Sequence, residues 1–231
     1  MLLEIDGVTK LFEKGGKTIT ALEHVSLRAD RPQVIGLVGL NGAGKTTLIN
    51  IIAGILIPDD GVARINGVET WKHPAKMVAY PFIPYDDPRM TVKDTVKILE
   101  LFYGEGDWQK YVDLLGLRNE WNVEKQRLST GWTQRILALS ALGQDKPVIL
   151  LDEITNGLDV TTADVVLNAM KSKGRKSIVV FASHIFNHVE RVADRVVIIH
   201  DGKILKDAPL KEITSEKPLE DVFRELIRNG P

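Results

Sequence analysis

Gly39-Leu40-Asn41-Gly42-Ala43-Gly44-Lys45-Thr46 fits the pattern G-x-x-x-x-G-K-[ST], and its flanks constrain the fold more than any other stretch of the chain. Before it, Val34-Ile35-Gly36-Leu37-Val38 is a short apolar run rich in β-branched residues, the composition of a strand buried on both faces. After it, Lys45 to Leu56 reads as a helix. Strand, glycine loop and helix in that order turn backbone N–H groups and the positive end of a helix dipole toward one point, which suits phosphate. Lys45 would then reach the terminal phosphates of a nucleotide and the Thr46 hydroxyl would ligate Mg²⁺, with Gly39, Asn41, Gly42, Ala43, Gly44 and Thr47 completing the cradle.

Such a site needs a carboxylate at the end of a neighbouring strand. Val148-Ile149-Leu150-Leu151-Asp152-Glu153 supplies one: four apolar residues make the strand, Asp152 emerges where it can hold Mg²⁺, and Glu153 is placed to polarise an attacking water. The competing reading, two acids that merely cap a strand in solvent, weakens once the glycine loop is accepted.

The remaining pattern organises the chain around this pair. Apolar and polar residues alternate through Leu3, Ile5 and Gly7 and again through Ala21, Leu22, Val25 and Leu27, with Gly15-Gly16 between, which predicts antiparallel strands joined by a turn. Ile178 to Ala182 and Val196 to Ile199 read as further strands, the second ended by Asp201-Gly202. Helices are expected over Thr133 to Leu142 and Ala163 to Lys171. Pro81, Pro84 and Pro88 punctuate an irregular segment, followed by helical spacing over Thr91 to Tyr103 and Tyr111 to Leu117. A closing amphipathic helix is expected from near Ser215, with Pro218 in its first turn and Leu219, Val222, Phe223, Leu226 and Ile227 on one face. The fold class is therefore α/β: a P-loop NTPase core with a mostly parallel sheet, an N-terminal antiparallel β subdomain and an inserted α-helical subdomain. Residues 1–84 and 146–231 are assigned to the core and 85–145 to the helical insertion.

Composition excludes several function classes. With 30 Lys and Arg against 31 Asp and Glu, the net charge of -1 argues against nucleic-acid binding by bulk charge, and no nucleic-acid partner is expected. The absence of cysteine removes disulfides, thiolate metal sites, iron–sulfur ligation and a cysteine nucleophile together. Met1-Leu2-Leu3-Glu4-Ile5-Asp6 has an acid where a signal peptide needs a basic and then apolar stretch. The apolar run from Ile49 to Ile57 is broken by Asn50 and Gly54 and is too short for a membrane span of about 20 residues.

With the two phosphate-site elements placed, nearly all of the chain resembles the ATP-binding subunit of ABC transporters. Leu128-Ser129-Thr130-Gly131-Trp132 is similar to the family signature LSGGQ, with Thr130 in place of a glycine and Trp132 in place of glutamine. The resemblance implies that Ser129 and Gly131 touch the γ-phosphate bound by an opposite subunit; the bland alternative is that Ser129 only caps a helix. Asn156-Gly157-Leu158-Asp159 resembles the D-loop, with Ile154 where the family has proline. Ser183-His184 resembles the switch histidine that contacts the γ-phosphate, while His24, His73, His188 and His200 are given no role. Phe12 is similar to the aromatic that stacks on adenine, with a core phenylalanine as the competing reading. In Phe82-Ile83-Pro84-Tyr85-Asp86, Tyr85 stands where the family places a glutamine, and a phenol lacks the amide's combined donor and acceptor capacity. Asp86 and Asp87 are candidates to compensate.

The resemblance implies an ATPase with ATP and Mg²⁺: Thr46 and Asp152 on the metal, Glu153 as general base, Lys45 and His184 on the phosphates. It implies a homodimer or heterodimer of ATP-binding subunits, docked on an integral-membrane permease and therefore cytoplasmic, peripheral on the inner face of the cell membrane. The segments 129–131, 156–159, 183–203 and 219–223 resemble an export, multidrug and ion-efflux subgroup with a separate permease. A soluble ABC ATPase that moves no solute is the alternative. A GTPase or small-molecule kinase sharing only the glycine loop is disfavoured because no Asn-Lys-x-Asp motif occurs, and a regulatory subunit that hydrolyses poorly is disfavoured because Lys45, Glu153 and His184 are all present.

Overall fold

Alternating and continuous apolar patterns fold into two different sheets. The computed structural model describes residues 2–229, apart from the side chains of Ala75, Thr130 and Asn229. The alternating segments form β1 (Leu3–Lys14) and β2 (Lys17–Ala29), paired antiparallel across Gly15-Gly16 from Leu3↔Ala29 to Lys14↔Lys17. On the other side of β1 lie β4 (Asp60–Ile65) and β5 (Val68–Glu69), two strands the pattern did not announce, giving the order β2-β1-β4-β5. One face of this sheet is covered, with Leu3, Ile5, Val8, Leu22, Val25 and Leu27 at most 3% exposed, while the intervening residues are more open.

The continuous runs make the second sheet, in the order β10-β9-β3-β8-β7-β6. It comprises β3 (Gln33–Val38), β6 (Val78–Ala79), β7 (Val148–Asp152), β8 (Ile178–Ala182), β9 (Arg195–His200) and the edge strand β10 (Lys203–Pro209). All but β10 are parallel. β10 returns antiparallel across Asp201-Gly202, whose φ values of 44° and 76° give the positive pair of a two-residue hairpin. Neighbouring residues on each parallel strand enter opposite cores. Val34, Ile149, Leu151, Val179, Phe181 and Val196 pack with the helical part, while Ile35, Leu37, Val148, Leu150, Val180 and Val197 pack with α1 (Lys45–Ile52) and the antiparallel sheet. Burial on both faces explains why these strands read as unbroken apolar runs.

The helices keep their expected places with shifted ends. α1 stops at Ile52, short of Leu56: the N–H groups of Ile55 and Leu56 both return to the Asn50 carbonyl, and Ile55 and Ile57 are exposed. After α2 (Pro74–Met77) and β6, α3 (Val92–Tyr103) opens with a reciprocal box in which Thr91 accepts from the Asp94 N–H and Asp94 accepts from the Thr91 N–H. α4 covers Trp108–Leu114 and is followed by a 3₁₀ turn at Leu117–Glu120, whereas a single helix was expected over Tyr111 to Leu117; Gly116, at φ 68°, separates them. α5 (Thr130–Leu142) and α6 (Val160–Lys173) both begin earlier than their apolar spacing suggested, the latter because Asp159 accepts from the Thr162 N–H at 2.9 Å. α7 (Phe186–Val192) and α8 (Leu210–Ile213) were not read from the sequence. α9 spans Leu219–Asn229, so Ser215 and Pro218 lie outside it; Ser215 closes α8 instead, its N–H bonded to the Glu212 carbonyl. Among the described residues no helix is long and apolar enough to cross a membrane.

Candidate active site

The glycine loop leaves β3 and is locked from behind. Gly44 has φ 106°, and a Cβ on it would lie 2.5 Å from the Ala21 carbonyl oxygen, so only glycine fits. The Gly202 N–H donates to the Ala43 carbonyl at 3.1 Å, tying the loop to the β9–β10 turn. Gly44 gives α1 no side-chain cap, so the first N–H groups of that helix remain for a ligand. They open onto a cavity of about 190 Å³ lined by Asn41, Gly42, residues 44–47, Asp152 and Glu153.

Lys45 is 6% exposed, and its ammonium donates to the Gly39 and Leu40 carbonyls at 2.8 and 3.1 Å while standing 4.0 Å from Glu153 Oε1. Across the cavity the Thr46 hydroxyl donates to Asp152 Oδ2 at 2.6 Å. The other oxygen, Asp152 Oδ1, is buried and has no hydrogen-bond partner. Burial is the main reason the Asp152 carboxyl sits above its ordinary pKa, with the neighbouring Glu153 charge adding to the rise. A desolvated carboxylate with a free oxygen beside a hydroxyl fits a hard cation. The Thr46 hydroxyl and the free Asp152 oxygen suit Mg²⁺, an ion that takes one or two protein oxygens and completes its shell with water and phosphate.

Glu153 follows Asp152 with φ 49°, a left-handed turn at a non-glycine residue, held by its N–H to the Ala182 carbonyl at 3.0 Å. The turn swings its carboxylate toward β8, where Oε2 lies 2.9 Å from His184 Nδ1 and accepts from Asn156 Nδ2 at 3.2 Å. A carboxylate there requires the proton on Nδ1 of His184.

The structure thus gathers Lys45, Thr46, Asp152, Glu153 and His184 around one edge of the parallel sheet. It does not bring Ser129 and Gly131 to that cavity. Ser129 stands at the N-cap of α5 but its hydroxyl makes no cap hydrogen bond, which removes capping as its explanation. Trp132, one turn on, is 2% exposed with Lys125 over its ring, so the departure from the signature serves a core. Phe12 lies on β1 at 39% exposure and is no core residue. Tyr85 is 58% exposed, Asp86 is paired with Lys125, and Asp87 is held by Arg89, which commits both acids away from the cavity. A phenol overlooked in the sequence is Tyr80: its hydroxyl donates to Asn50 Oδ1 of α1 at 3.3 Å, and burial together with the Asp152 charge raises its pKa. Its signal was the apolar pair Val78-Ala79, too short to read as a strand.

Comparison with known proteins agrees with this geometry. The ABC transporter family model matches residues 22–156. The chain is 29% identical to the ABC transporter ATP-binding protein NatA of Bacillus subtilis, over 96% of this chain and 95% of that one. It is 30% identical to the SkfA peptide export ATP-binding protein SkfE of the same organism, over 89% and 88% of the two chains. It is 28% identical to the methionine import ATP-binding protein MetN of Haemophilus influenzae, over 99% of this chain and 70% of that one. Among solved structures, an ATP-binding subunit of an ABC transporter superposes with a TM-score of 0.85 at 25% identity, covering 98% of this chain and 100% of the other. A dimeric bacterial ABC transporter cassette shares the fold, with a TM-score of 0.80 at 24% identity over 90% and 98% of the chains.

Proposed function

The chain belongs to the ABC transporter family, and on that premise we propose that it is the ATP-hydrolysing subunit of an exporter, closing on a second copy of itself around ATP. It is an ATPase that binds ATP with Mg²⁺ and works with a membrane permease. The observation that carries the reading is the arrangement around Asp152: one oxygen on Thr46, the other buried and free, and Glu153 and His184 in contact beside it.

The residues divide the work as follows. Thr46 and Asp152 hold Mg²⁺, which when bound draws charge from the terminal phosphate oxygens. Lys45 leaves the Gly39 and Leu40 carbonyls for the phosphates, and the N–H groups at the start of α1 cradle them. Glu153 takes the proton of the attacking water at Oε1, since Oε2 is already engaged by His184 and Asn156. His184 holds that carboxylate in place through its Nδ1–H and, when Nε2 also carries a proton, donates from Nε2 to the γ-phosphate. Ser129 and Gly131 complete the site of the opposite copy, which is why a serine at a helix start can leave its cap bond unmade.

Import and export relatives match at nearly equal identity, so direction rests on the likeness of segments 129–131, 156–159 and 183–203 to the efflux subgroup. The chain then sits on the cytoplasmic face of the membrane through its permease. Glu153→Gln keeps ATP binding while removing the base, so this variant with ATP elutes as a dimer from size-exclusion chromatography. A chain that stays monomeric at high protein concentration sinks the self-paired reading.

A further inference from the structure

We propose that the C-terminal helix α9, through Phe223, is a positioning element for His184. This rests on the role just given to His184, and it adds a residue outside the matched segment 22–156 to the working of the site.

His184 stands between a fixed strand end and a helix that cannot place itself. Ser183 before it is fully buried; its N–H donates to the Leu37 carbonyl at 3.3 Å and its hydroxyl accepts from the Ile185 N–H at 3.0 Å. The imidazole is 53% exposed, so little surrounds it directly. Its direction follows from how α7 leaves Ile185, and α7 has only 7 residues, too few to hold a course without packing.

That packing has two sides. Toward the sheet, Val189 presses on β3 so closely that a Cβ on Gly36 would meet its Cγ1 at 2.4 Å. On the other side, Phe186, two residues after His184, meets Phe223 at 5.1 Å between ring centroids with planes 53° apart. Glu190 of α7 accepts from the Leu219 N–H at 2.6 Å and so caps the first turn of α9. Phe223 is 4% exposed and Leu219 fully buried, so α9 is a seated element. A cavity of about 540 Å³ opens between Phe223 and Ile227 of α9 and Gly39, Leu40 and His184 of the site, with Phe186 on its wall. The packed contact between α9 and His184 is the one through α7, by Phe186 and Glu190, and from His184 it continues across 2.9 Å to Glu153.

The test is steady-state ATP hydrolysis by the full chain, at concentrations where ATP pairs it, for Phe223→Ala with and without His184→Ala. Phe223→Ala is expected to lower kcat by about tenfold with KM for ATP changed less than about twofold, because a misplacement near 1 Å costs rate rather than affinity. Phe223→Leu recovers most of the loss. In the His184→Ala background Phe223→Ala lowers kcat no further. Val25→Ala, equally buried in the other core, keeps kcat and shows that destabilisation alone does not mimic the effect. Equal losses in both backgrounds, a rise in KM without a fall in kcat, or a matching loss in Val25→Ala would overturn the proposal. If His184→Ala itself turns over like the parent, the role given to His184 has failed, and a persisting Phe223 effect then overturns the proposed route separately. Should Phe223→Ala not fold, Glu190→Ala, which removes the acceptor of the Leu219 N–H, carries the same comparison.

Discussion

Two helix starts carry the glycines of interest: residues 39–44 ahead of α1, and Gly131 in the first turn of α5, just after Leu128-Ser129. In the first, Gly44 at φ 106° lies against the Ala21 carbonyl, Lys45 is buried with its ammonium on two carbonyls, and Thr46 is bonded to Asp152. In the second, Ser129 is exposed and makes no cap bond, and a Cβ on Gly131 would meet nothing closer than the Gly157 carbonyl at 3.5 Å. Trp132, sunk in the core, and Leu128, packed against it, anchor that turn. The first turn is finished by its own chain. The second fixes its backbone and leaves a hydroxyl exposed, as the role proposed for Ser129 and Gly131 in the opposite copy would need. Gly44 answers an internal demand of geometry that Gly131 does not.

The same substitution at both places separates these demands. Gly44→Ala should destabilise the fold by about 2–4 kcal/mol, from left-handed strain and the clash with Ala21, and abolish turnover. Gly131→Ala, in the first turn of α5, should leave the urea midpoint unchanged or raise stability by up to about 0.5 kcal/mol while turnover falls. Urea titration beside an ATPase assay reads both; an equal loss of stability at the two glycines would erase the contrast. Trp132→Ala should cost about 3–5 kcal/mol as a large truncation in a packed core. Trp132→Phe should cost less than about 1 kcal/mol, because the indole N–H is buried without a partner. Ser129→Ala should move stability by less than about 0.5 kcal/mol yet reduce turnover, and a clear drop in melting temperature would mean that the hydroxyl is structural after all. The smallest effect lies where α7 meets the turn ahead of α6, with His188 Nδ1 3.2 Å from Thr155 Oγ1. Burial, reinforced by Arg191, lowers the His188 pKa below 6.5. The unfolded chain then takes up a proton that the folded one resists. This contribution to stability is complete above pH 6.5 and declines as pH falls below it. His188→Gln should flatten that slope in melts between about pH 5 and 7.

What could be read from the sequence followed the range of the forces involved. The glycine loop, the strands Val34–Val38 and Ile178–Ala182, and the Asp152-Glu153 pair are written in contiguous residues, because a strand buried on two faces and a phosphate turn each make their demands locally. The start of α9 was misjudged because its cap comes from Glu190, 29 residues away, and Pro218 looked like a first-turn proline. β6 has two residues and no periodicity, which hid Tyr80. β4 was missed in a stretch whose alternation, Val62-Ala63-Arg64-Ile65, is short and interrupted by charge. The contact of Glu153 with His184 joins two strand ends that become neighbours only when the sheet forms, and no spacing rule reports it.

The ammonium of Lys45 already has two acceptors before any nucleotide arrives. On the role proposed for Lys45, its third N–H is free for a phosphate oxygen, and any further phosphate contact would be an exchange of a carbonyl acceptor for a phosphate one. That exchange would run backward as phosphate departs, with the two carbonyls in place to receive the lysine.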